Sequence, residues 1–199
     1  MARPHIAVIV GSNRRASINR KLAQALVKLG SDKFDATFLR IDDLPMFNQD
    51  LEMNLPAEVV RFKTELTNAD GIIIVTPEHD RSIPAVLKNA IDWGARPYGK
   101  NCWGGKPTFI TGTSGGAIGT ALAQQHLRSI MLSVGTIIQG GDAYVTFKPN
   151  LVDDEGNISD DSTRKFLQGF IDQFASLLPR RGSSLSDGGV QQCGANVIV

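Results

Sequence analysis

The sequence predicts an α/β domain in which a five-stranded parallel sheet lies between two layers of helices, a three-layer sandwich. Two observations support this fold class. Five short apolar runs recur along the chain, and segments with helical spacing of apolar residues separate them. The runs are continuous rather than alternating, as expected for strands that are buried on both faces of a parallel sheet.

The first strand, helix and second strand are predicted from the start of the chain. His5–Val10 is an apolar run rich in β-branched residues and predicts the first strand. Three leucines over residues 22–29 follow at helical spacing, and either Ser17 or Asn19 is placed to cap this helix. Residues 36–41 predict the second strand.

The middle of the chain continues the alternation of strand and helix. Pro56 is placed to open the second helix, because proline is well tolerated at a first helical position. Ile72–Val75 predicts the third strand, and Pro84 opens the third helix. Thr108–Thr111 predicts the fourth strand, and a glycine-rich loop over residues 112–119 follows it.

The last part of the chain predicts two helices, one strand and a tail. A helix is predicted over residues 122–134, with His126 on its apolar face as a core or interface histidine, and a strand over 136–139. Residues 166–177 have the clearest amphipathic pattern. We predict one folded domain over residues 1–179 and a Gly/Ser-rich tail over residues 180–199.

Composition excludes several classes of protein. A hydrophobic content of 42% and a net charge of +1 exclude overall disorder and disfavour a nucleic-acid partner. No apolar run approaches the roughly 20 residues that span a bilayer, so no membrane association is expected. Cys102 and Cys193 cannot form a zinc cage or a disulfide framework, so we predict no metal and a cytoplasmic location.

The predicted strand order places the site. In a sheet of order 2-1-3-4-5, ligands bind beyond the carboxyl ends of the strands, where the order reverses. The loops after strands one, three and four should therefore surround the ligand. The first loop combines hydroxyls, an amide and arginines at a helix start, which predicts a phosphate cradle. Its sequence is neither a Walker A loop nor a dinucleotide-binding turn; the alternative is a capped helix with solvated arginines.

The other two loops predict a site for a planar group. Thr76–Pro84 contains two prolines, which restrict its backbone, and charged residues that directly follow a buried strand. The loop over 112–119 has four glycines, which allow close approach of the backbone to a ligand. A phosphate at the first loop and a flat ring between the other two fit a mononucleotide such as FMN.

Four motifs resemble the NAD(P)H-dependent FMN reductases. They are Gly11-Ser-x-Arg-x-x-Ser-x-Asn19, Thr76-Pro-Glu…Ser-Ile-Pro84, Leu87-Lys-Asn-Ala-Ile-Asp-Trp93 and Gly105-Lys-Pro107. Arg96-Pro97-Tyr98-Gly99 and Trp103 resemble most the bacterial quinone, chromate and ferric reductases of that family. The resemblance implies a flavodoxin-like fold, bound FMN, and a homodimer or homotetramer. It also implies reduction of FMN by NADH or NADPH and two-electron reduction of quinones, with chromate, ferric complexes or azo dyes as further small-molecule acceptors.

The resemblance also implies site residues. The FMN-binding residues would be Gly11, Ser12, Arg14, Ser17, Ile18, Asn19, Pro77, Glu78, His79, Asp80, Arg81, Ser114, Gly115 and Gly116. Arg96 matches a position at the mouth of the site, and the candidate catalytic residues are Arg96, His79 and Arg81, with none firmly assigned. Trp93, Tyr98 and Trp103 favour a subunit interface over core packing.

The chain departs from the family pattern after Glu78. The family has Tyr-Asn where this chain has His79-Asp80, and Ala85 replaces a usual glycine. A carboxylate at Asp80 near the ring would disfavour an anionic reduced flavin, which predicts a lower reduction potential or weaker FMN binding. Three other functions stay open: an electron carrier without direct nicotinamide reaction, a reductase of diffusible FMN, and a phosphate-binding module without redox activity.

Overall fold

The computed structural model describes residues 2–179, which form an α/β sandwich around one parallel sheet. The strands are β1 (His5–Val10), β2 (Asp35–Phe38), β3 (Gly71–Val75), β4 (Pro107–Ser114), β5 (Ile137–Ile138) and β6 (Ala143–Thr146). The helices are α1 (Ile18–Leu29), α2 (Ala57–Thr67), α3 (Ala85–Ala95), α4 (Ala121–Ser133) and α5 (Asp161–Leu177). The predicted tail, residues 180–199, lies outside the described residues.

The predicted strand order is confirmed, with one strand added. The sheet runs β2-β1-β3-β4-β5, every pair is parallel, and β6 also pairs with β4. Strand β5 lies beside the start of β4 and β6 beside its end, so the two form an interrupted edge strand. The pairing of β4 with β6 is strengthened by the hydroxyls of Thr111 and Thr113, which donate to the carbonyls of Ala143 and Val145, each at 2.7 Å.

The sheet separates two hydrophobic clusters, as the predicted three-layer arrangement requires. Ile6, Val8 and Val10 of β1 pack with side chains of α1 and α5. Ala7 and Ile9, which point to the opposite face, pack with side chains of α2, α3 and α4. This alternation within a wholly apolar strand explains the continuous hydrophobic run, since both faces of β1 are buried.

The aromatic residues after α3 correct one prediction. Trp93 and Trp103 have no exposed surface and belong to the core, where their indole N–H groups donate to the carbonyls of Pro45 and Ile91. Their assignment to a subunit interface is therefore wrong. Tyr98 differs from them, because 90% of its surface is exposed.

No helix within residues 2–179 is long and apolar enough to cross a membrane.

Candidate functional site

A cavity of about 350 Å³ lies at the carboxyl ends of β1, β3 and β4, where the predicted site was placed. Eleven of the predicted residues line it: Gly11, Ser12, Arg14, Ser17, Ile18, Asn19, Pro77, Glu78, His79, Ser114 and Gly115. Four residues outside the predicted FMN-binding set complete the lining: Asn13, Pro84, Val86 and Thr113. Asp80, Arg81, Gly116 and Arg96 do not line it. The volume falls in the range of small-molecule sites.

The start of α1 forms the anion-binding end of the cavity. Ser17 is its N-cap, and the Ser17 hydroxyl accepts the N–H of Arg20 at 3.3 Å, so the choice between Ser17 and Asn19 is settled. The N–H groups of Ile18 and Asn19 belong to the first turn and have no acceptor within the helix. That turn carries no acidic residue, and Arg14 is exposed and makes no ion pair with residues 2–179. The helix dipole, the free N–H groups and the guanidinium all favour an anion here.

The Asn19 side-chain amide is already hydrogen-bonded within the protein. Its amide nitrogen donates to the Thr113 carbonyl and its amide oxygen accepts the Thr113 N–H, both at 2.9 Å. Asn19 is 2% exposed. Its amide therefore joins α1 to β4, and only its backbone N–H is left for a ligand.

The segment after β3 forms a two-residue hairpin turn. His79 and Ser82 exchange backbone hydrogen bonds of 3.0 and 2.9 Å. Asp80 and Arg81 lie between them with φ of 48° and 64°. Positive φ at both central residues is the type I′ geometry, which side chains other than Gly, Asn and Asp adopt at a cost. Neither residue lines the cavity, so the predicted position of Asp80 beside a bound ring is not supported.

Glu78 connects this segment to α4. Its carboxylate accepts the N–H groups of Leu122 at 3.1 Å and Ala123 at 3.2 Å, and it pairs with Arg81 at 3.3 Å. The N-cap of α4, Thr120, makes no side-chain capping bond. Glu78 therefore supplies the cap and the negative charge that the start of this helix favours.

His126 also contacts this segment, and of the two predicted positions, core or interface, the core position is wrong. The side chain is exposed, and its Nδ1 lies 3.1 Å from the Ser82 hydroxyl. The buried face of α4 is formed by Ala123, Leu127 and Met131 instead. Adjacent residues on a helix point about 100° apart, so His126 projects away from the face that Leu127 occupies.

Strand β4 extends further than predicted, so the glycine-rich loop that follows it begins later. Residues 112–114 belong to the strand, and the Ser114 hydroxyl donates to the Gly119 carbonyl at 2.5 Å and accepts the Gly116 N–H at 3.3 Å. Gly112 is required by packing, because a Cβ there would lie 2.0 Å from the Thr76 carbonyl oxygen. A Cβ at Gly115 would meet no atom within 4 Å, which leaves this part of the wall open to a ligand.

Arg96 lies at the opposite end of α3 from the cavity. Pro84 precedes the helix and lines the cavity, whereas Arg96 follows it, about 18 Å along the axis at 1.5 Å per residue. The guanidinium makes two hydrogen bonds to Glu52, of 2.7 and 3.2 Å, which raise the pKa of Arg96. The structure of this chain therefore does not place Arg96 at the mouth of the cavity.

The donor set of the cavity suits a phosphorylated planar ligand rather than a metal. Within the part of the chain that is described, no three His, Cys, Asp or Glu side chains are grouped to hold a metal ion. The anion-binding end fits the phosphate of FMN, and the open wall at Gly115 leaves space for a flat ring. FMN, the cofactor that the resemblance implies, is therefore compatible with these residues.

Comparison with known proteins agrees with the fold and identifies the family. Residues 4–149 match the family described as NADPH-dependent FMN reductase. A Burkholderia sp. protein named 2-hydroxy-1,4-benzoquinone reductase is 46% identical over 177 residues, which are 88% of this chain and 97% of that protein. FerB from Paracoccus denitrificans, a flavoenzyme NAD(P)H:(acceptor) oxidoreductase, is similar in structure with a TM-score of 0.85 and 43% identity, over 87% of this chain and 96% of FerB. An archaeal flavodoxin shares the fold at 13% identity and a TM-score of 0.55, over 87% of this chain and 98% of its own. The predicted flavodoxin-like fold is confirmed.

Proposed function

The chain belongs to the NADPH-dependent FMN reductase family, and we propose that it is an FMN-dependent NAD(P)H:acceptor oxidoreductase that reduces quinones. The observation that carries the proposal is the cavity between the loops after β1, β3 and β4, with an anion-binding helix start at one end and an open wall at the other. A mononucleotide with a flat ring matches both ends. Quinones are proposed as the acceptors because the Burkholderia relative is named 2-hydroxy-1,4-benzoquinone reductase.

In this proposal the residues at the start of α1 hold the phosphate of FMN. Ser12, Arg14, the Ser17 hydroxyl and the N–H groups of Ile18 and Asn19 supply donors and positive charge. Pro77 to His79 would lie along one side of the ring, and Ser114 with Gly115 along the other, because these residues line the rest of the cavity. When bound, FMN would supply the hydride and electron transfer between the nicotinamide nucleotide and the acceptor.

The protein's own groups position the ligands and supply charge. Glu78 and Asn19 fix the cavity walls through backbone N–H groups and carbonyls. His79 is exposed and lines the cavity, so its imidazole is placed to give a proton to a quinone oxygen. We expect His79→Gln to lower kcat with quinone while FMN content and reduction of the flavin by NADPH stay unchanged. An unaltered kcat with quinone would remove His79 from this role.

The test of the function uses the purified protein in anaerobic buffer. We expect a yellow protein whose flavin absorbance near 450 nm survives gel filtration, falls on addition of NADPH or NADH, and returns when benzoquinone is added. A protein that stays colourless after incubation with FMN would contradict the proposal and favour a phosphate-binding module. A stably yellow protein that NAD(P)H does not bleach would indicate an electron carrier instead. A protein that reduces FMN but loses it on gel filtration would indicate a reductase of diffusible FMN.

We extend the proposal to further acceptors, assembly and location. Chromate, ferric complexes and azo dyes are expected to oxidise the reduced protein more slowly than quinones, which stopped-flow mixing measures directly. A homodimer or homotetramer is expected, with its mass determined by light scattering, and a monomeric active protein would contradict it. A cytoplasmic location is expected and is tested by cell fractionation.

A further inference from the structure

A second cavity adjoins the first on the side of β2. Its volume is about 140 Å³, and it shares Ser12, Asn13 and Arg14 with the proposed FMN site. We call it the arginine cleft, and its remaining lining residues are Val10, Arg15, Arg20, Leu39, Arg40, Ile41 and Asp42. The cleft therefore lies between the loop after β1 and the residues that directly follow β2.

The arginine cleft carries an excess of positive charge. Four arginines and one carboxylate line it. Arg15 makes no ion pair with residues 2–179, and the Arg20 guanidinium lies over the Phe38 ring, 5.7 Å from its centroid. Arg40 pairs with Asp42 at 3.0 Å, and this hydrogen bond lowers the pKa of Asp42 and keeps it ionised. Arg15 and Arg20 are left without a paired carboxylate in the lining and, unlike Arg14, do not line the FMN cavity, so the cleft favours an anionic ligand.

The phosphate of FMN does not account for these charges. That phosphate is placed at the start of α1, in the larger cavity, where Arg14 and the helix already supply its donors. Arg15, Arg20 and Arg40 line the arginine cleft and not that cavity. The cleft is below the roughly 300 Å³ of a complete small-molecule site, so it suits one ionic group of a larger ligand.

The position of the arginine cleft indicates which ligand carries that group. In parallel α/β folds that bind dinucleotides, an arginine near the end of the second strand can receive the 2′-phosphate of NADP. This chain lacks the dinucleotide-binding turn of those folds, so it shares with them only the position of the charged residues after β2. Arg40 and Asp42 directly follow β2 in this chain, and the Asp42 carboxylate is neutralised by Arg40. A ribose hydroxyl would favour a free carboxylate, whereas this arrangement favours a phosphate.

We propose that the arginine cleft binds the 2′-phosphate of NADPH and makes the protein prefer NADPH over NADH. The choice of ligand rests on the proposed function, because it requires a reduced nicotinamide nucleotide as electron donor. The binding of a second phosphate beside the FMN phosphate rests on the cleft alone.

The direct test is calorimetric titration of the FMN-loaded protein with 2′,5′-ADP and, separately, with 5′-AMP. We expect 2′,5′-ADP to bind at least about 10-fold more tightly, because only it carries the 2′-phosphate. We also expect 2′,5′-ADP to compete with NADPH in steady-state assays. Equal affinity for the two nucleotides, or no binding of either, would overturn the proposal.

Three variants test whether 2′-phosphate binding depends specifically on the arginine cleft. Arg15→Gln/Arg20→Gln should weaken 2′,5′-ADP binding and raise the KM for NADPH about 10-fold or more, with the KM for NADH changed less than about 2-fold. Asp42→Asn should act in the opposite direction and tighten 2′,5′-ADP binding several-fold. Arg164→Gln removes an exposed arginine on α5, paired with Asp161, and should change neither constant. Equal effects on NADPH and NADH, or loss of FMN from the double variant, would overturn the proposal.

Failure of this inference and failure of the proposed function give different results. If NADPH reduces the bound flavin but its KM is insensitive to the arginine variants, the cleft is not its subsite and the function stands. If 2′,5′-ADP binds and the variants weaken it while neither NADPH nor NADH bleaches the flavin, the cleft stands and the function fails.

Discussion

The Asn19 side-chain amide pairs with the backbone of Thr113 through two hydrogen bonds of 2.9 Å, one given and one received. Asn19 lies in the first turn of α1 and Thr113 near the end of β4, and the pair is buried. It joins the phosphate end of the cavity to the wall that faces the ring. The pair therefore holds the start of α1 and the end of β4 at a fixed separation.

Asn19→Ala is expected to destabilise the protein by about 2–4 kcal/mol, because it leaves a buried N–H and a buried carbonyl without partners. The measurement is urea unfolding of the apoprotein. Asn68→Ala is the control, since Asn68 is exposed at the end of α2, and it should cost less than about 0.5 kcal/mol. Equal losses in the two variants would show that the pair contributes nothing.

Glu78→Ala is expected to lower the free energy of unfolding by about 1–2 kcal/mol, because the first turn of α4 loses its cap. Hydrogen exchange should report the loss locally, with faster exchange of the Leu122 and Ala123 amides. Glu78→Gln keeps an acceptor oxygen and should retain part of the protection. Unchanged exchange of both amides in Glu78→Ala would refute the capping role.

Gly112→Ala is expected to cost about 3 kcal/mol or more, since its Cβ would lie 2.0 Å from the Thr76 carbonyl oxygen and 2.4 Å from the Thr120 hydroxyl. Thr76 directly precedes Pro77, which lines the cavity, so FMN binding should fall as well. Gly115→Ala is the matched control, because a Cβ there meets no atom within 4 Å. Thermal unfolding compares the pair, and similar melting temperatures would contradict the steric argument.

Asp80→Asn is expected to raise the midpoint potential of bound FMN by only roughly 10–20 mV, because the carboxylate is exposed and lies outside the cavity lining. Asparagine also adopts positive φ, so the turn should be preserved. Arg81→Gln removes the opposite charge from the same turn and should shift the potential downward. A dye-equilibrated spectroscopic titration measures both, and shifts of the same sign would exclude an electrostatic origin.

Protonation of Asp160 is expected to lower the free energy of unfolding in acid. It caps α5, and hydrogen bonds from Thr163 and Ser162 lower its pKa from 3.8 to about 2. A lowered folded-state pKa gives stability that is complete above the unfolded value of 3.8 and is lost as the pH falls through about 2. Asp160→Asn keeps the acceptor but not the charge. The wild type should therefore exceed this variant in unfolding free energy above about pH 4, and the difference should vanish near pH 2.

The sequence was sufficient to predict β1 and β3 because each is a continuous apolar run that is buried on both faces. It was not sufficient for β6, whose residues alternate between buried and exposed and follow two glycines, Gly140 and Gly141. That strand depends on pairing with β4, some thirty positions earlier in the chain. The same long-range pairing extends β4 through Gly112, where the local sequence indicates a loop.

The position of the cavity was predictable from strand order, whereas the direction of its polar side chains was not. Asn19 and Glu78 are suitable types for a ligand site, yet both side chains bond to the protein backbone. His126 does not lie on the buried face of α4, because that face carries Leu127 and Met131 instead. Residue type and spacing do not determine whether a polar group faces a ligand or a neighbouring strand, because that depends on contacts between distant segments.

The hairpin turn between Glu78 and Ser82 is attached to α4 at both of its ends, through the Leu122 and Ala123 amides at one and through His126 at the other. These attachment points are spread over the first two turns of α4, which its own backbone hydrogen bonds make stiff. We therefore expect the turn to move together with the start of α4 rather than independently of it. A ligand that passes this side of the cavity should then depend on displacement of a helix, which is slower than the motion of an unattached loop.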